Sequence, residues 1–366
     1  MNEDVYYLIA LTFVSNIGTG IGKKLLVHIG NAKDVFKENV KVLKAIPGIG
    51  DSVANSLKST KMAFAMAEKE VNYVMKNSIR VTSFVDKEYP ERLKQCADSP
   101  ILYYWKGNKE PNMDKMLAVV GTRNATDYGR LMTENIISGL KEYNIGIVSG
   151  LAYGIDTAAH KSALSDSLPT FAVLGHGFST IYPNTNYELS KKIEANGALI
   201  TEFPSDTMPN KENFPKRNRI IAGLSDAILI IEAAQKGGAL ITADIAHSYN
   251  KDVFAVPGRV TDIYSAGCND LIKRQKAYVV HSAADIIENM NWDKMLAVSG
   301  MQKKLFFDLT EHQQTIVDIV ENESVCDMDT ISYKLKIPIN RLAFDLLDLE
   351  LKGIIKCLPG KKYAML

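Results

Sequence analysis

Residues 213–225 read Asn-Phe-Pro-Lys-Arg-Asn-Arg-Ile-Ile-Ala-Gly-Leu-Ser, and the fold prediction starts from this stretch. Asn213 is suited to cap a helix, and Pro215 suits a first helical turn. Three aliphatic side chains recur at spacings that share one inward face: Ile220, Ile221 and Leu224. The stretch therefore predicts an amphipathic helix with one buried face.

Three cations, Lys216, Arg217 and Arg219, crowd the first turn of this predicted helix. A helix N-terminus already carries about half a positive charge, so each cation there costs about 0.3–1 kcal/mol. A bound phosphate reverses that cost, because free backbone N–H groups and cations then converge on one anion. A solvated basic turn is the alternative, and the spacing favours phosphate binding.

The composition is that of a globular protein. A chain of 366 residues, with 46% apolar and 23% charged residues, predicts two or three domains. No apolar run reaches the roughly 20 residues that span a bilayer, and the N-terminus lacks the basic start of a signal peptide. The four cysteines form no CxxC pair, which predicts a reducing, cytoplasmic location and no structural zinc.

Charge is distributed unevenly along the chain. The net values are +4 for residues 1–80, 0 for 81–304 and −3 for 305–366. Residues 1–80 read as helical and contain two similar apolar–Gly–x–Gly segments, at 16–26 and 45–55, each predicted to open a helix. These segments look like tandem helix-hairpin-helix elements. Backbone contact with DNA and a purely structural packing role both stay open for them.

Residues 81–110 read as a connector that contains the aromatic strand Ile101-Leu102-Tyr103-Tyr104-Trp105. Neighbouring aromatic side chains can serve as base-stacking platforms. Consecutive aromatic positions in an apolar strand more often fill core on both faces, and that interpretation is favoured here.

Regular alternation of apolar runs and helical stretches begins at Lys115. The runs lie at 116–120, 145–149, 169–174, 197–201, 226–231, 252–256 and 277–280. This pattern predicts a doubly wound, largely parallel sheet, in which ligands bind beyond the carboxyl ends of the strands. Glycine-bearing loops and cations follow the runs and predict a phosphate-cradling rim. Neither the dinucleotide G-x-G-x-x-G fingerprint nor a Walker A loop is present.

Two groups of residues raise the question of catalysis. Asp156 and His160 lie four residues apart on one predicted helix face and could form an acid–base pair, although a stabilising pair is the commoner explanation. Asp244 follows Gly238 by six residues, where nucleotide-hydrolysing relatives of this fold place a glutamate. The loop here lacks the third glycine and the adjacent threonine of those relatives, which argues against hydrolysis.

Six ordered motifs resemble the bacterial DNA-processing protein A family (DprA, also called Smf). They are Gly121-Thr122-Arg123, Ser149-Gly150-Leu151-Ala152-x-Gly154-Ile155-Asp156, Phe214-Pro215-x-Arg217-Asn218-Arg219-Ile220-Ile221, Gly238-x-Leu240-Ile241-Thr242, Val253-Phe254-Ala255-Val256-Pro257-Gly258 and Gly267-x-Asn269-x-Leu271-Ile272. The resemblance covers roughly residues 81–290. It implies an extended Rossmann-like domain that binds single-stranded DNA, forms a homodimer and transfers the strand to the RecA recombinase during natural transformation.

The resemblance also implies which residues hold DNA. Arg123 matches a strand-binding arginine, Lys191 or Lys192 lies in a segment that supplies a further basic contact, and Gly237 and Gly238 match a phosphate-facing loop. The full candidate set is Gly121, Thr122, Arg123, Ser149, Gly150, Lys191, Lys192, Lys216, Arg217, Asn218, Arg219, Gly237, Gly238 and Thr242.

Two positions depart from the family pattern. Gly237-Gly238-Ala239 replaces the usual Ser-Gly-Ser, so two hydroxyl donors are missing and backbone N–H groups must do more. Cys268 replaces a more usual threonine and is predicted to be a small buried residue rather than a nucleophile.

The C-terminal residues 305–366 resemble the winged-helix domain that ends many family members, after a predicted linker at 291–304. Helices are predicted at 311–321, at 327–335 and from Pro338, the last with Leu342, Leu346, Leu347 and Leu351 facing inward. Residues 354–357 and 362–365 are predicted to pair across Pro359-Gly360. The third helix carries Arg341 but also Asp345, Asp348 and Glu350, so a protein-contact or regulatory role is predicted rather than groove binding.

The predicted domains are a helix-hairpin-helix or SAM-like domain at 1–80, the Rossmann-like domain at 81–290 and the winged-helix domain. The predicted function is non-enzymatic: binding and protection of single-stranded DNA and loading of RecA, with no cofactor and no metal. The alternative is a nucleotide phosphoribohydrolase that uses the same fold, with Asp244 as its acid.

Overall fold

The computed structural model describes residues 3–292, 309–323, 326–335, 337–352, 354–358 and 362–365. These residues fall into two compact units, divided between Lys294 and Met295, and each unit is described by itself below. The predicted linker lies outside the described residues from position 293 onwards, and so does the predicted turn at Pro359-Gly360. Of the helices that the structure describes, none has the length and apolar character needed to cross a membrane.

The first unit begins with six helices: α1 (Glu3–Thr12), α2 (Thr19–Ile29), α3 (Ala32–Lys37), α4 (Val40–Ala45), α5 (Asp51–Ser56) and α6 (Lys61–Lys76). Gly18 directly precedes α2 and Gly50 directly precedes α5, so both predicted glycine segments open a helix. At Gly48 the backbone has a φ of 89°, a left-handed conformation that favours glycine.

A mixed sheet follows the six helices. Its strands among the described residues are β1 (Arg80–Ser83), β2 (Leu102–Gly107), β3 (Lys115–Gly121), β4 (Ile145–Ser149), β5 (Thr170–Val173), β6 (Ala198–Thr201), β7 (Ala227–Ile231), β8 (Asp252–Ala255) and β9 (Tyr278–Val279). The helices that connect them are α7 (Glu91–Lys94), α8 (Asp127–Gly139), α9 (Ile155–Ser165), α10 (Tyr187–Asn196), α11 (Asn213–Leu224), α12 (Gly238–Ser248), α13 (Ala266–Lys273) and α14 (Ala283–Asn289). Each of the seven predicted apolar runs contains one of the strands β3 to β9, so the predicted alternation is confirmed.

The strand order is β1-β2-β6-β5-β4-β3-β7-β8-β9. The seven strands from β6 to β9 run parallel, while β1 and β2 form an antiparallel edge. The chain winds outward from β3 to β6 in one direction and then returns to place β7 on the other side of β3. This reversal between β3 and β7 is the topological switch point at which doubly wound sheets bind ligands.

Both faces of the sheet are covered. Along β3, Met116, Ala118 and Val120 face a core that includes Ile220 and Ile221 of α11. Leu117 and Val119 face the opposite core, which is built with α8, α9 and α14. Helices therefore pack on both faces, as predicted for a doubly wound Rossmann-like sheet.

The aromatic strand β2 fills core on both faces, which confirms the favoured interpretation. Tyr103 and Trp105 lie in the core of the sheet, whereas Tyr104 packs among the six N-terminal helices. Hydrogen bonds also link α6 to the loop before α11. The buried carboxylate of Glu70 accepts them from the backbone N (3.0 Å) and the Oγ (2.7 Å) of Ser205. The N-terminal helices and the sheet thus share a core across the predicted boundary at residue 80.

Asp156 and His160 do not form the acid–base pair that their spacing allowed. The Asp156 carboxylate accepts hydrogen bonds from the backbone N–H groups of Gly150 (3.2 Å) and Ala152 (3.3 Å). His160 is fully buried, and its Nδ1 lies 2.7 Å from Oγ1 of Thr170. Because the Thr170 hydroxyl donates to the carbonyl of Ile147, Nδ1 carries the imidazole proton. The other ring nitrogen, Nε2, is buried without a hydrogen-bond partner.

The second unit contains α15 (Glu311–Glu323), β10 (Cys326–Asp327), α16 (Met328–Leu335), α17 (Ile339–Leu351), β11 (Ile355–Leu358) and β12 (Lys362–Met365). Its antiparallel strands are ordered β10-β12-β11. The prediction that Leu347 and Leu351 face inward is wrong, because they are 54% and 79% exposed. Leu342, Leu346 and Leu349 share the buried face at a turn of about 100° per residue, and Leu347 and Leu351 lie opposite.

The stability of the first unit is expected to depend on the protonation of His160. Burial lowers the pKa of this imidazole from 6.5 to about 3. Between these two values the unfolded chain binds a proton that the folded chain does not. Stability present above pH 6.5 is therefore lost as the pH falls, with a slope of up to about 1.4 kcal/mol per pH unit.

Denaturant unfolding followed by the fluorescence of Trp105 and Trp292 between pH 4 and 7 measures this slope. The control is His160→Asn, which keeps a polar group near Thr170 but does not titrate in this range. The variant is expected to show a smaller slope, and an equal slope in both proteins would contradict the assignment to His160.

Candidate nucleic-acid interface

A cavity of about 510 Å³ lies at the carboxyl ends of β3 and β7. Three segments line it: the loop after β3, the first turn of α11 and the loop that precedes α12. We call it the inner cavity. At the end of β3, a Cβ on Gly121 would lie 2.0 Å from the carbonyl oxygen of Ile231, so only glycine lets β3 and β7 end side by side here. The switch point of the sheet thus opens directly into the inner cavity.

The basic helix α11 begins one residue earlier than its predicted cap implies. Asn213 is its first helical residue, Glu212 precedes it, and no side chain caps the first turn. Asn213 is therefore not the cap that the sequence predicted. The N–H of Asn213 donates to the carbonyl of Asn210 at 3.0 Å, and Pro215 has no N–H, so Phe214 carries the first N–H of this turn without a side-chain cap.

Arg217 is the buried cation of the site, with only 4% of its surface exposed. Its Nη1 donates to the carbonyl of Gly150 at 2.5 Å and also to the carbonyl of Val173. Its Nε donates to Oδ1 of Asn218 at 3.1 Å. A Cβ on Gly150 would lie 2.2 Å from the same Nη1, so the strand end must be glycine there. Arg217 thereby fastens α11 to the ends of β4 and β5.

Burial lowers the pKa of Arg217 to about 10, the Asp156 carboxylate opposes that shift, and the positive charge of Arg123 adds to it. Burial also raises the pKa of Asp156, against the attraction of Arg217. An arginine with this pKa remains charged near neutral pH, so a fixed positive charge lies beneath the inner cavity.

The three cations of α11 do not converge on one point, which corrects the sequence prediction. Arg219 pairs with the carboxylate of Glu202 and donates to the carbonyl of Asp98, away from the inner cavity. Burial raises the pKa of Glu202, and the charges of Arg219 and of the exposed Lys216 both oppose that rise, which places Lys216 on the same side as Arg219. Successive residues turn by about 100° around a helix, so positions 216, 217 and 219 point in different directions.

Arg123 is the exposed cation of the site. Its guanidinium carbon lies 5.2 Å from the centre of the Phe214 ring, and that of Arg217 lies 6.0 Å from the same ring. Tyr182 also lies near Phe214, with ring centres 6.0 Å apart and ring planes tilted by 38°. The loop that carries Arg123 is held by Gly154, whose φ of 77° brings its backbone against the carbonyl of Thr122. A solvent-accessible guanidinium therefore lies beside an aromatic ring at the mouth of the inner cavity.

The loop before α12 leaves room for an anion. No side chain caps α12, and a Cβ on Gly237 would meet no atom within 4 Å. The carbonyl of Gly238 points away from solvent, because it accepts hydrogen bonds from Nδ2 of Asn218 (3.4 Å) and Oγ1 of Thr242 (3.0 Å). The first N–H groups of α12 are thus directed at the inner cavity, an arrangement that suits a phosphate even without the usual serine hydroxyls.

The structure divides the candidate residues into two groups. Eight of them line the inner cavity: Gly121, Thr122, Arg123, Arg217, Asn218, Gly237, Gly238 and Thr242. Ser149 is fully buried and donates to the carbonyl of Val119 at 2.6 Å, while Gly150 lines a small adjoining pocket. Lys191 and Lys192 lie on α10, where Lys191 contacts Glu194 and the ring of Tyr187.

Sequence reasoning missed four residues that line the inner cavity: Lys211, Phe214, Lys236 and Tyr264. Phe214 and Lys236 stand within the quoted motifs, and their positions at helix starts were the available signal. Lys211 and Tyr264 lie in loops without a pattern of their own.

Asp156 lines the inner cavity, but Asp244, the candidate acid of a hydrolase, does not. Asp244 is 64% exposed and pairs with Lys276 at 3.0 Å, outside the residues that line the inner cavity. Cys268 is fully buried, and burial raises the pKa of its thiol to about 12, which confirms that it is a small buried residue. Among the described residues, no cluster of His, Cys, Asp and Glu could hold a metal ion.

The fold and the inner cavity define an α/β protein with a doubly wound, mostly parallel sheet and a glycine-lined cavity at its switch point. The family model described as DNA recombination-mediator protein A matches residues 80–291. The chain belongs to this DNA-processing family. It is 30% identical to protein Smf of Synechocystis over 99% of both chains. It is 40% identical to DNA processing protein DprA of Streptococcus pneumoniae over 56% of this chain and 72% of that protein.

Two solved structures carry the same fold. DNA processing protein A from Streptococcus pneumoniae superposes with a TM-score of 0.68 at 32% identity, over 79% of this chain and 98% of that chain. DNA processing protein A from Helicobacter pylori, in a structure reported for its single-stranded DNA binding mode, superposes with a TM-score of 0.53 at 28% identity, over 59% of this chain and 97% of that chain.

The two arginines at the inner cavity are expected to differ in their effect on stability. Arg217→Ala should lower the free energy of unfolding by roughly 3–5 kcal/mol, because it leaves buried carbonyls and Asp156 without their cation. Arg123→Ala should change it by less than about 0.5 kcal/mol, since the side chain is exposed. Urea unfolding at neutral pH measures the free energy of unfolding of both variants. Equal decreases in the two variants would contradict the conclusion that Arg217 holds α11 to the ends of β4 and β5.

Proposed function

We propose that the first unit binds single-stranded DNA along the inner cavity and holds it without cleaving it. The observation that carries this proposal is the exposed guanidinium of Arg123 beside the Phe214 ring, at the mouth of a cavity onto which two uncapped helix starts open. The single-stranded DNA binding mode reported for the Helicobacter pylori neighbour supports it.

In this proposal, N–H groups and cations of the protein contact the DNA backbone, and one aromatic ring contacts a base. The N–H groups before α12 and the exposed ammonium of Lys236 hold a phosphate, and Arg123 holds the next one. Phe214 offers its ring to an unstacked base, which a duplex does not present. The preference for single strands follows from that base contact, and the lack of sequence preference follows from the backbone contacts.

The family resemblance supports further roles. In this proposal the protein is not an enzyme, acts in the cytoplasm as a homodimer through the Rossmann-like domain, protects incoming DNA and loads RecA in natural transformation. The domain division at 1–80, 81–290 and 305–366, with a helix-hairpin-helix or SAM-like start and a winged-helix end, is part of the same proposal. Lys191, Lys192, Lys216 and Arg219 remain predicted DNA contacts outside the inner cavity.

We further propose that the second unit does not read DNA. The exposed side of α17 carries Phe344, Leu347 and Leu351, and Arg341 is the single cation within the helix. Asp348 of the same helix accepts from Nε2 of Gln313 and pairs with Lys352, both at 2.7 Å. A helix that reads the major groove needs donors and cations along its exposed side.

Single-strand binding is tested by fluorescence anisotropy with labelled oligo-dT and a matched duplex at several salt concentrations. We expect tight, strongly salt-dependent binding of the single strand and weak binding of the duplex. Arg123→Ala should weaken single-strand binding about tenfold and reduce the salt slope by about 0.7, the value for one phosphate on a single strand.

The matched control is Arg274→Ala, which removes an exposed arginine that directly follows α13 and pairs with Asp270. It should leave affinity and slope unchanged. Release of free base from a nucleotide monophosphate by the wild-type protein would favour the phosphoribohydrolase alternative, and absence of single-strand binding at low salt would reject the proposal.

The role of the second unit is tested in the full chain with Arg341→Ala, which removes the arginine of α17. Because α17 is proposed not to enter a groove, duplex and single-strand affinities should both stay at the wild-type value. A loss of duplex affinity in this variant would assign α17 to DNA.

A further inference from the structure

A second groove of about 710 Å³ lies beside the inner cavity. The first two to three turns of α8 and α9 form its walls, and the loops after β3 and β4 form its near end. We call it the outer groove and define it by Arg123, Asn124, Arg130, Tyr153, Lys161 and Glu134. None of these residues except Arg123 has a role in the function proposed above.

The outer groove and the inner cavity meet at one point. Arg123 and Asn124 line both of them, so a chain that leaves the inner cavity over Arg123 enters the outer groove directly. A small pocket bridges the two, lined among others by Tyr153, Tyr182 and Phe214. Three aromatic side chains thus surround Arg123 along a continuous path.

The chemistry of the outer groove suits a nucleic-acid backbone. Three of its lining residues are cationic, Arg123, Arg130 and Lys161, and one, Glu134, is acidic. Arg130 and Lys161 are exposed, and Arg130 is oriented by Asp127 at 2.9 Å. Tyr153 is 46% exposed although it sits in a loop whose neighbours Leu151 and Ile155 are fully buried. An exposed aromatic ring flanked by cations is the arrangement with which proteins bind successive bases and phosphates of a single strand.

We propose that the outer groove is a second subsite for the same DNA strand. Tyr153 stacks on a base of the nucleotides that follow those in the inner cavity, and Lys161 and Arg130 contact their phosphates. This inference rests on single-strand binding in the inner cavity. It assigns one direction in which the strand continues, over Arg123 and between α8 and α9.

The test compares short and long strands on the full chain. Oligo-dT of about 4 nucleotides is short enough to be held by the inner cavity alone, whereas about 12 nucleotides reach both sites, within the range of single-strand site sizes. Tyr153→Ala and Lys161→Ala are each expected to weaken binding of the long strand about tenfold and to leave binding of the short strand unchanged. Glu134→Gln should strengthen binding of the long strand, because it removes the one acid that lines the outer groove.

The controls are Tyr333→Ala, an exposed tyrosine of the second unit, and Lys141→Ala, which removes a lysine paired with Asp166 beyond the far end of α8. Both should keep wild-type affinity for both strands. If the wild-type protein binds the short and long strands equally, or if the two outer-groove variants bind the long strand like wild type, the second subsite is rejected while the inner cavity stands. If the wild-type protein binds neither strand, the proposed function itself fails.

Discussion

The guanidinium of Arg217, buried against the carbonyls of Gly150 and Val173, is the contact on which the site depends. Burying a cation costs several kcal/mol unless its donors are satisfied, and here they are satisfied by strand ends instead of by a carboxylate alone. The contact fixes α11 over β4 and β5. Phe214, one turn earlier, is then placed beside Arg123, and Asn218, one residue later, is placed under the loop that opens α12.

Much of the fold was predictable because its signals are local. Short apolar runs predicted the strands from β3 to β9. The glycines that follow these runs predicted the loops at the carboxyl ends of the strands, where the inner cavity lies. The orientation of the cations on α11 was also within reach, since the helical period that places Ile220, Ile221 and Leu224 inward places Arg217 three residues before Ile220 on the same face. The sequence prediction applied that period to the aliphatic residues but grouped Arg217 with Lys216 and Arg219 in one phosphate-binding turn.

The helical period of about 100° per residue also explains the wrong prediction for α17. Leu347 and Leu351 were predicted to face inward but lie opposite Leu342 and Leu346. Other features were not predictable from local pattern. The shared core between β2 and the N-terminal helices, and the contact of Arg219 with Glu202, join residues far apart in sequence. Lys211 and Tyr264 reach the inner cavity only because the loops that carry them are brought there by the sheet.

The two arginines at the inner cavity, the exposed Arg123 and the buried Arg217, have different electrostatic roles. In the proposed function, Arg123 exchanges solvent and counterions for a phosphate, so its contribution to binding falls with salt. Arg217 keeps its protein partners throughout and acts as a fixed charge in a site of low dielectric, where screening is weak. Each positive charge opposes the other, and this repulsion is part of what lowers the pKa of Arg217. An anion beside Arg123 relieves that repulsion, so the inner cavity is electrostatically prepared for phosphate before any strand arrives.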